Sequence, residues 1–303
     1  MSGTSAIDAI GAGLIGVPPV RAVLGDGRRR HFQHGPIDLV IEAFGSSGEV
    51  ACAYEQAWTR FQSILGELAG ELPRLRAPVT DAGAALSGTV ARRMVRAAAP
   101  HRSVFVTPMA AVAGAVADEV LVALVAGRAL GKAYVNNGGD IALFLAPGAT
   151  FRTGIVTLGA VPSLDGLTEI GAESDVRGLA TSGWRGRSLS LGIADSVTAL
   201  AASAAQADAA ATLIANAVDA ADPSIRRQPA SSLDPDNDLG ERLVTVEVGR
   251  LAPSMVDHAL GRGAEVAEAM RTAGLIAGAL LSLGDKSRSV VYPAGLRASS
   301  LAV

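Results

Sequence analysis

Cysteine is nearly absent. Cys52 is the single one in 303 residues, which excludes an intramolecular disulfide and any cysteine-rich metal site. Aromatic residues make up only 4% of the chain, so a core has to be packed from aliphatic side chains and alanine. No charge excess stands out either. Lys+Arg total 26 and Asp+Glu 29, and the net charge of −3 gives no field that would recruit nucleic acid. Lysine is confined to Lys132 and Lys286, an arginine bias that base composition explains as readily as phosphate recognition. The mildly apolar N-terminus lacks a basic run and carries Asp8, which argues against a secretory signal. The longest apolar stretch, near Val104 to Ala117, stops at Asp118-Glu119, short of the roughly 20 residues a membrane span needs. A cytoplasmic protein with no membrane partner is the expectation.

Apolar residues reach 49%, enough for one large domain or two intimately packed lobes, approximately 1–150 and 151–303. Residues 38–44 read as a strand after the basic run Arg28-Arg29-Arg30 and a turn at Gly35-Pro36. Tyr54, Trp58, Phe61, Leu65 and Leu68 recur at helical spacing, predicting a helix over 49–72 that Pro73 closes. Thr107-Pro108 is a helix start, with the helix continuing over 109–127. Strands follow at 132–135, 140–146 and 151–158. Residues 181–200 read as a turn leading into strand and strand-to-helix material, with a helix over roughly 200–221. A loop spans 222–240, followed by a strand at 243–248 and a helix over roughly 257–282. Two halves each run strand, turn, helix. This is an α+β layout that hints at internal duplication. The small residues of 109–127 would let that helix pack within the chain or across a homodimer.

Three constellations carry chemistry. In ADAAATLIAN (207–216), Asp208, Thr212 and Asn216 share one helix face, offering hard oxygen ligands to magnesium or calcium. Equally, Asp208 could simply solvate that face while Thr212 bonds back to a carbonyl. In VNNGGD (135–140) the paired glycines let backbone approach a ligand, with Asp140 ready to bind a sugar hydroxyl or ring nitrogen; a tight hairpin turn explains the same residues. In TSG (181–183) the Ser182 hydroxyl and its neighbouring amides could line a site. No Gly-x-Ser-x-Gly elbow supports a serine hydrolase. His31 and His34, beside the basic run, read as solvated, and His101 and His258 form no metal-type pair.

In order and spacing, VAGAVAD (112–118), VNNGGD, TSG and ADAAAT (207–212) resemble the ApbE superfamily of FAD:protein FMN transferases, over roughly residues 105–220. The likeness implies an ApbE-like fold, Mg2+ held by Asp208 and Thr212 with a backbone carbonyl near Val112–Ala113, and FAD or FMN as the small-molecule ligand. Gly114, Asp118, Gly138, Gly139 and Asp140 occupy matching positions, with Thr181, Ser182 and Gly183 at the second turn. Two departures stand out. The family's phosphate-holding lysine is Ala113 here, and its histidine is missing from RSLSLGIADSV (187–197). Arg185 and Arg187 lie near enough in sequence to replace the lost cation. The chain looks closer to a shorter, uncharacterised cytoplasmic branch beside ApbE that shares HGPIDL- and GIADSVTALA-type segments. Three functions follow: a magnesium-dependent flavin nucleotide transferase or pyrophosphatase with Asp208 and Ser182 in the chemistry, a metal-assisted hydrolase of another heterocyclic or amide metabolite, and a non-catalytic flavin- or nucleotide-binding protein.

Overall fold

The computed structural model describes residues 17–80, 86–157 and 163–290. Strand β1 (Val20–Val23), β2 (Arg30–His34) and β3 (Ile37–Gly45) form an antiparallel meander. Alternation along the strands puts Phe32, Leu39 and Ile41 on one face, all buried. His34 falls on that same face. It is therefore buried against Phe61 rather than solvated, with neither ring nitrogen hydrogen-bonded. Helix α1 (Ser47–Leu75) covers this face, started by Ser46, whose side chain accepts the Glu49 N–H. Phe32, Trp58 and Phe61 pack ring to ring at 5.0–5.9 Å, concentrating several of the chain's few aromatics in this half. Pro73 does not close α1. It sits in the last turn, where it removes one helical hydrogen bond, and the helix runs on to Leu75.

Helix α2 (Thr89–Ala98), with no counterpart in the expectations above, leads to a break in the expected 109–127 helix. Thr107 caps Met109 N–H as anticipated, but Pro108–Ala111 is a 3-10 turn and the α-helix starts afresh at Val112. This helix, α3 (Val112–Val125), begins there because a carboxylate from a distant segment takes its first free amides. By length and composition, Pro108–Val125 (18 residues, mean hydropathy 1.8) is apolar enough to cross a membrane. Here α3 packs instead against α1, α2 and two strands of the sheet. Its two acidic residues are both buried and both partnered.

One of them, Glu119, accepts from Arg60 Nε (2.9 Å), Thr89 Oγ1 (2.7 Å) and Arg93 Nε (2.9 Å), tying α3 to α1 and α2. Burial alone would raise this carboxyl; the hydroxyl and the two guanidinium groups outweigh it and hold it below the usual range. Its stabilising contribution is therefore present above the unfolded pKa near ~4.3 and lost as pH falls through the lower folded value. Glu119→Gln should cost about 2 kcal/mol at pH 7. Denaturant melts should show that gap closing as the pH is lowered below 4.

The rest of the sheet comprises β4 (Leu130–Asn137), β5 (Asp140–Leu145), β8 (Gly178–Ser182), β9 (Ser196–Ala201), β12 (Gly278–Leu283) and β13 (Lys286–Val290). The nine-stranded order is β1-β2-β3-β4-β5-β8-β9-β12-β13, antiparallel throughout. The layout repeats. A hairpin (β2-β3, β8-β9) is followed by helices and a second hairpin (β4-β5, β12-β13), and each set of four lies side by side. In the second set, α4 (Ala204–Ala217) and α6 (Pro253–Thr272) lie between the two hairpins in sequence. A separate hairpin, β6 (Thr150–Thr157) with β7 (Ser163–Gly171), is paired apart from the main sheet, and Phe151 and Ile170 join the core cluster on the opposite sheet face from α1 and α4.

Several boundaries differ from the sequence reading. LSLGIAD is an irregular segment, and α4 starts at Ala204 rather than near 200 because SVTALA is a fully buried strand. The 222–240 segment contains β10 (Ile225–Pro229) and a short α5 (Ala230–Leu233). Its polar sequence pairs with β11 (Leu243–Val248), an interaction no local pattern reveals. The expected helix over 257–282 ends at Thr272, where Gly274 (φ 72) turns the chain and 278–283 enter the sheet between β9 and β13. An apolar run such as this suits a buried strand and a buried helix equally.

Candidate active site

The site starts where α3 and α4 cross. Each helix gives a carboxylate to the start of the other. Asp118 on α3 accepts the Ala204 and Ala205 N–H groups, both at 3.0 Å, and Asp208 on α4 accepts the Gly114 N–H at 3.0 Å. The first turn of a helix presents unpaired amides and a positive dipole end, so each aspartate satisfies donors that have no partner within their own helix. The crossing is tight because Gly114 lacks a side chain: a Cβ there would lie 2.7 Å from the Ala205 nitrogen and closer still to the Ala204 carbonyl.

Beneath the crossing lies the seam of the sheet. β5 and β8 pair over just two positions, Ile141↔Leu179 and Ala142↔Gly178. Beyond them the Asp140 carboxylate takes over, with Oδ1 accepting Thr181 N–H at 3.2 Å. Asp140 closes the β4–β5 hairpin, whose two-residue loop is Gly138 (φ 66) and Gly139 (φ 115), backbone geometry that glycine adopts freely. Asn137 in the same hairpin donates Nδ2 to the Ala113 carbonyl at 3.0 Å, fixing the loop to the start of α3. Two cavities of about 370 and 560 Å3 open on either side, and Ala113, Asp140, Arg187, Ser188, Asp208 and Thr212 line both. Each volume is in the range of small-molecule sites.

The electrostatics of that shared wall are unusual. Burial and the nearby Asp140 push the Asp208 carboxyl well above the normal range, with the Gly114 and Ala113 amides opposing. Asp140 is raised too, by burial, against the Thr181 amide and the Arg187 charge. Two partly desolvated carboxylates facing one space are costly unless a cation or proton joins them. The donor set suits a hard divalent ion: carboxylates, the Thr212 hydroxyl one helical turn from Asp208, and the Ala113 carbonyl. Among the described residues, no three His, Cys, Asp or Glu side chains converge on one point, so this is not an all-protein cage. Magnesium is commonly held by one or two carboxylates plus ligand oxygens and water, which this geometry matches.

The structure brings Asp140, Gly138, Gly139, Thr181, Ser182, Gly183, Asp208 and Thr212 to the walls of one cavity, from three separated segments. Gly114 and Asp118 line neither cavity, and their places in the fold are the helix crossing and the cap of α4, not direct ligand contacts. Asn216, the third member of the helix face, accepts Leu191 N–H at 2.9 Å and holds the preceding loop instead of offering its oxygen to a metal. Arg185 is committed to Asp195 at 2.6 Å. The smaller cavity has an acidic wall, Asp234, Asp236 and Asp238, within a stretch that reads from sequence as a plain loop. Its aspartate-rich composition was the available signal. Among the described residues, no histidine lines either cavity.

An α+β fold with a carboxylate pair set under two crossed helix starts is thus the class of protein this chain represents. The family model described as AbpE bacteria matches residues 21–289, and the chain belongs to that family. UPF0280 proteins from Methanothrix thermoacetophila and Methanopyrus kandleri are 41% and 38% identical over 114 and 161 residues, covering 37% and 52% of this chain. The matched stretches span 46% and 61% of those relatives, so the chain spans about half the length of the curated relatives it matches. A solved structure, the flavin transferase ApbE from Vibrio cholerae, aligns with a TM-score of 0.47 and 15% identity over 91% of this chain and 98% of that one.

Proposed function

We propose that this chain is a divalent-metal-dependent enzyme acting on a flavin-nucleotide-like ligand, with Mg2+ held by Asp208 and Thr212. The observation that carries this reading is the shared wall: two like-charged, desolvated carboxylates, a hydroxyl and a carbonyl face one space between two ligand-sized cavities. The four ordered motifs that resemble the ApbE flavin transferases support the ligand class. A bound divalent ion would offset the charge of phosphate oxygens as a phosphoanhydride breaks. Asp140 adds the second negative charge, the Gly138-Gly139 backbone allows close approach, and Ser182 presents a hydroxyl on the same side.

Purified protein should bind FAD or FMN with Mg2+ or Mn2+ present and lose that binding with EDTA, followed by flavin fluorescence. FAD should be converted to FMN-containing product in the same mixtures. Flavin affinity that is indifferent to the metal would overturn the reading. A second reading, metal-assisted hydrolysis of another small metabolite, draws on Ala113 and on the absence of histidine from the two cavities among the described residues. It predicts metal binding without flavin binding, and a mass spectrum of the co-purifying ligand separates the two.

A further inference from the structure

Arg187 is exposed and lines both cavities. Its neighbour Arg185 is spent on Asp195 and stacks over Trp184, with the guanidinium carbon 4.5 Å from the ring centre. Among the described residues Arg187 makes no hydrogen bond or ion pair, and its charge acts on the nearby buried Asp140 carboxyl. Its guanidinium lies against the hairpin turn, where a Cβ on Gly138 would be 3.2 Å from the Arg187 Cζ and would overlap Nη2. Gly138 therefore does two things: it adopts φ 66, and it leaves room for a cation. The smaller cavity is lined by Asp234, Asp236 and Asp238 as well, against which Arg76 offers one further cation, paired with Asp236 at 4.0 Å, so its excess negative charge disfavours an anion. The larger cavity lacks these three aspartates; Arg187 lines it together with Ser182, Ser188 and the Gly138-Gly139 backbone, beside Asp140 and Asp208.

We propose that Arg187 is the anion-binding residue of this site. It holds a phosphate oxygen of the ligand on the hairpin side of Asp140, and Gly138 is glycine partly to admit it. A guanidinium presents several donors in a planar fork matched to phosphate, which a lone amine does not. The inference rests on the reading above that the ligand is phosphorylated. It places the required positive charge on the 183–189 loop rather than at the start of α3, where Ala113 supplies none.

The test uses the full chain with Mn2+ and inorganic pyrophosphate as probes. Mn2+ binding is followed by electron paramagnetic resonance and pyrophosphate binding by calorimetry, for wild type, Arg187→Gln and Gly138→Ala. In Arg187→Gln, pyrophosphate affinity should fall about 10-fold or more. Mn2+ affinity measured alone should stay level or rise, because a repelling charge has gone. A merely structural role would weaken both. Gly138→Ala should lower pyrophosphate affinity in the same way, with Arg187 displaced. Wild-type affinity for pyrophosphate in Arg187→Gln overturns the inference, as does wild-type protein that binds no pyrophosphate. If wild type binds pyrophosphate through Arg187 but no Mn2+, the metal reading fails and the role of Arg187 stands.

Discussion

Asp208→Asn is expected to abolish divalent-metal binding while making the metal-free protein more stable. The two effects have opposite signs because Asp208 is held at a cost. Its carboxyl is raised by burial and by Asp140, so in the folded protein its charged form is disfavoured. The sign follows from linkage. A carboxyl whose folded pKa lies above its unfolded value destabilises the fold once pH exceeds the unfolded value, and the penalty grows until the folded pKa is passed. Asparagine keeps an oxygen for the Gly114 N–H and removes the charge. Metal affinity should drop by more than the roughly 10–100-fold typical of losing an outer partner. Thermal melts in EDTA should show the variant gaining stability at pH 7 and converging with wild type near pH 3. A variant that loses stability in EDTA would mean the charge is already compensated within the protein.

Gly114→Ala should be strongly destabilising. The new Cβ meets backbone atoms of Ala204 and Ala205, which cannot rotate away, so α3 and α4 have to separate. Overpacking alone costs about 1–3 kcal/mol. Separation also stretches the Asp118 bonds to the Ala204 and Ala205 amides and the Asp208 bond to Gly114. Such charge-assisted bonds are worth about 1.5–3 kcal/mol each. A total on the order of 4 kcal/mol is a large fraction of the ~5–15 kcal/mol that stabilises a folded protein. By the scaling for large domains, the melting temperature should fall by roughly 8–15 °C. Gly66→Ala on the exposed face of α1, where a Cβ meets nothing, is the matched control and should be neutral or stabilising. If both variants melted together, the crossing would not be the tight contact described above.

The parts of the site that were legible in the sequence are those set by neighbours along the chain. Asp208 and Thr212 share a helix face because they are four residues apart, and α4 forms where its alanines and Ser203 cap direct. The hairpin at Gly138-Gly139 is equally local, since two consecutive positive φ angles demand glycine-like residues. Legibility failed where long-range pairing decided the outcome. The Gly278–Leu283 run became a sheet strand because β9 and β13 offered their edges to it, whereas α3 restarts at Val112 because Asp208, 94 positions away from Gly114, claims its amides.

Composition, period and turn chemistry determined by themselves that this chain is α+β, that α1 presents an apolar stripe, and that Asp140 ends a hairpin. Each of these depends on interactions within a few residues, where sequence and geometry are nearly the same thing. Tertiary structure alone decided that Asp118 and Asp208 cap one another's helices. It also decided that the Asp140 charge raises the Asp208 pKa, that Asn216 is spent on a loop, and that Arg185 is paired with Asp195 while Arg187 lines both cavities. Charge interactions and desolvation depend on distance through space, and the fold sets those distances by burying segments far apart in the chain against one another.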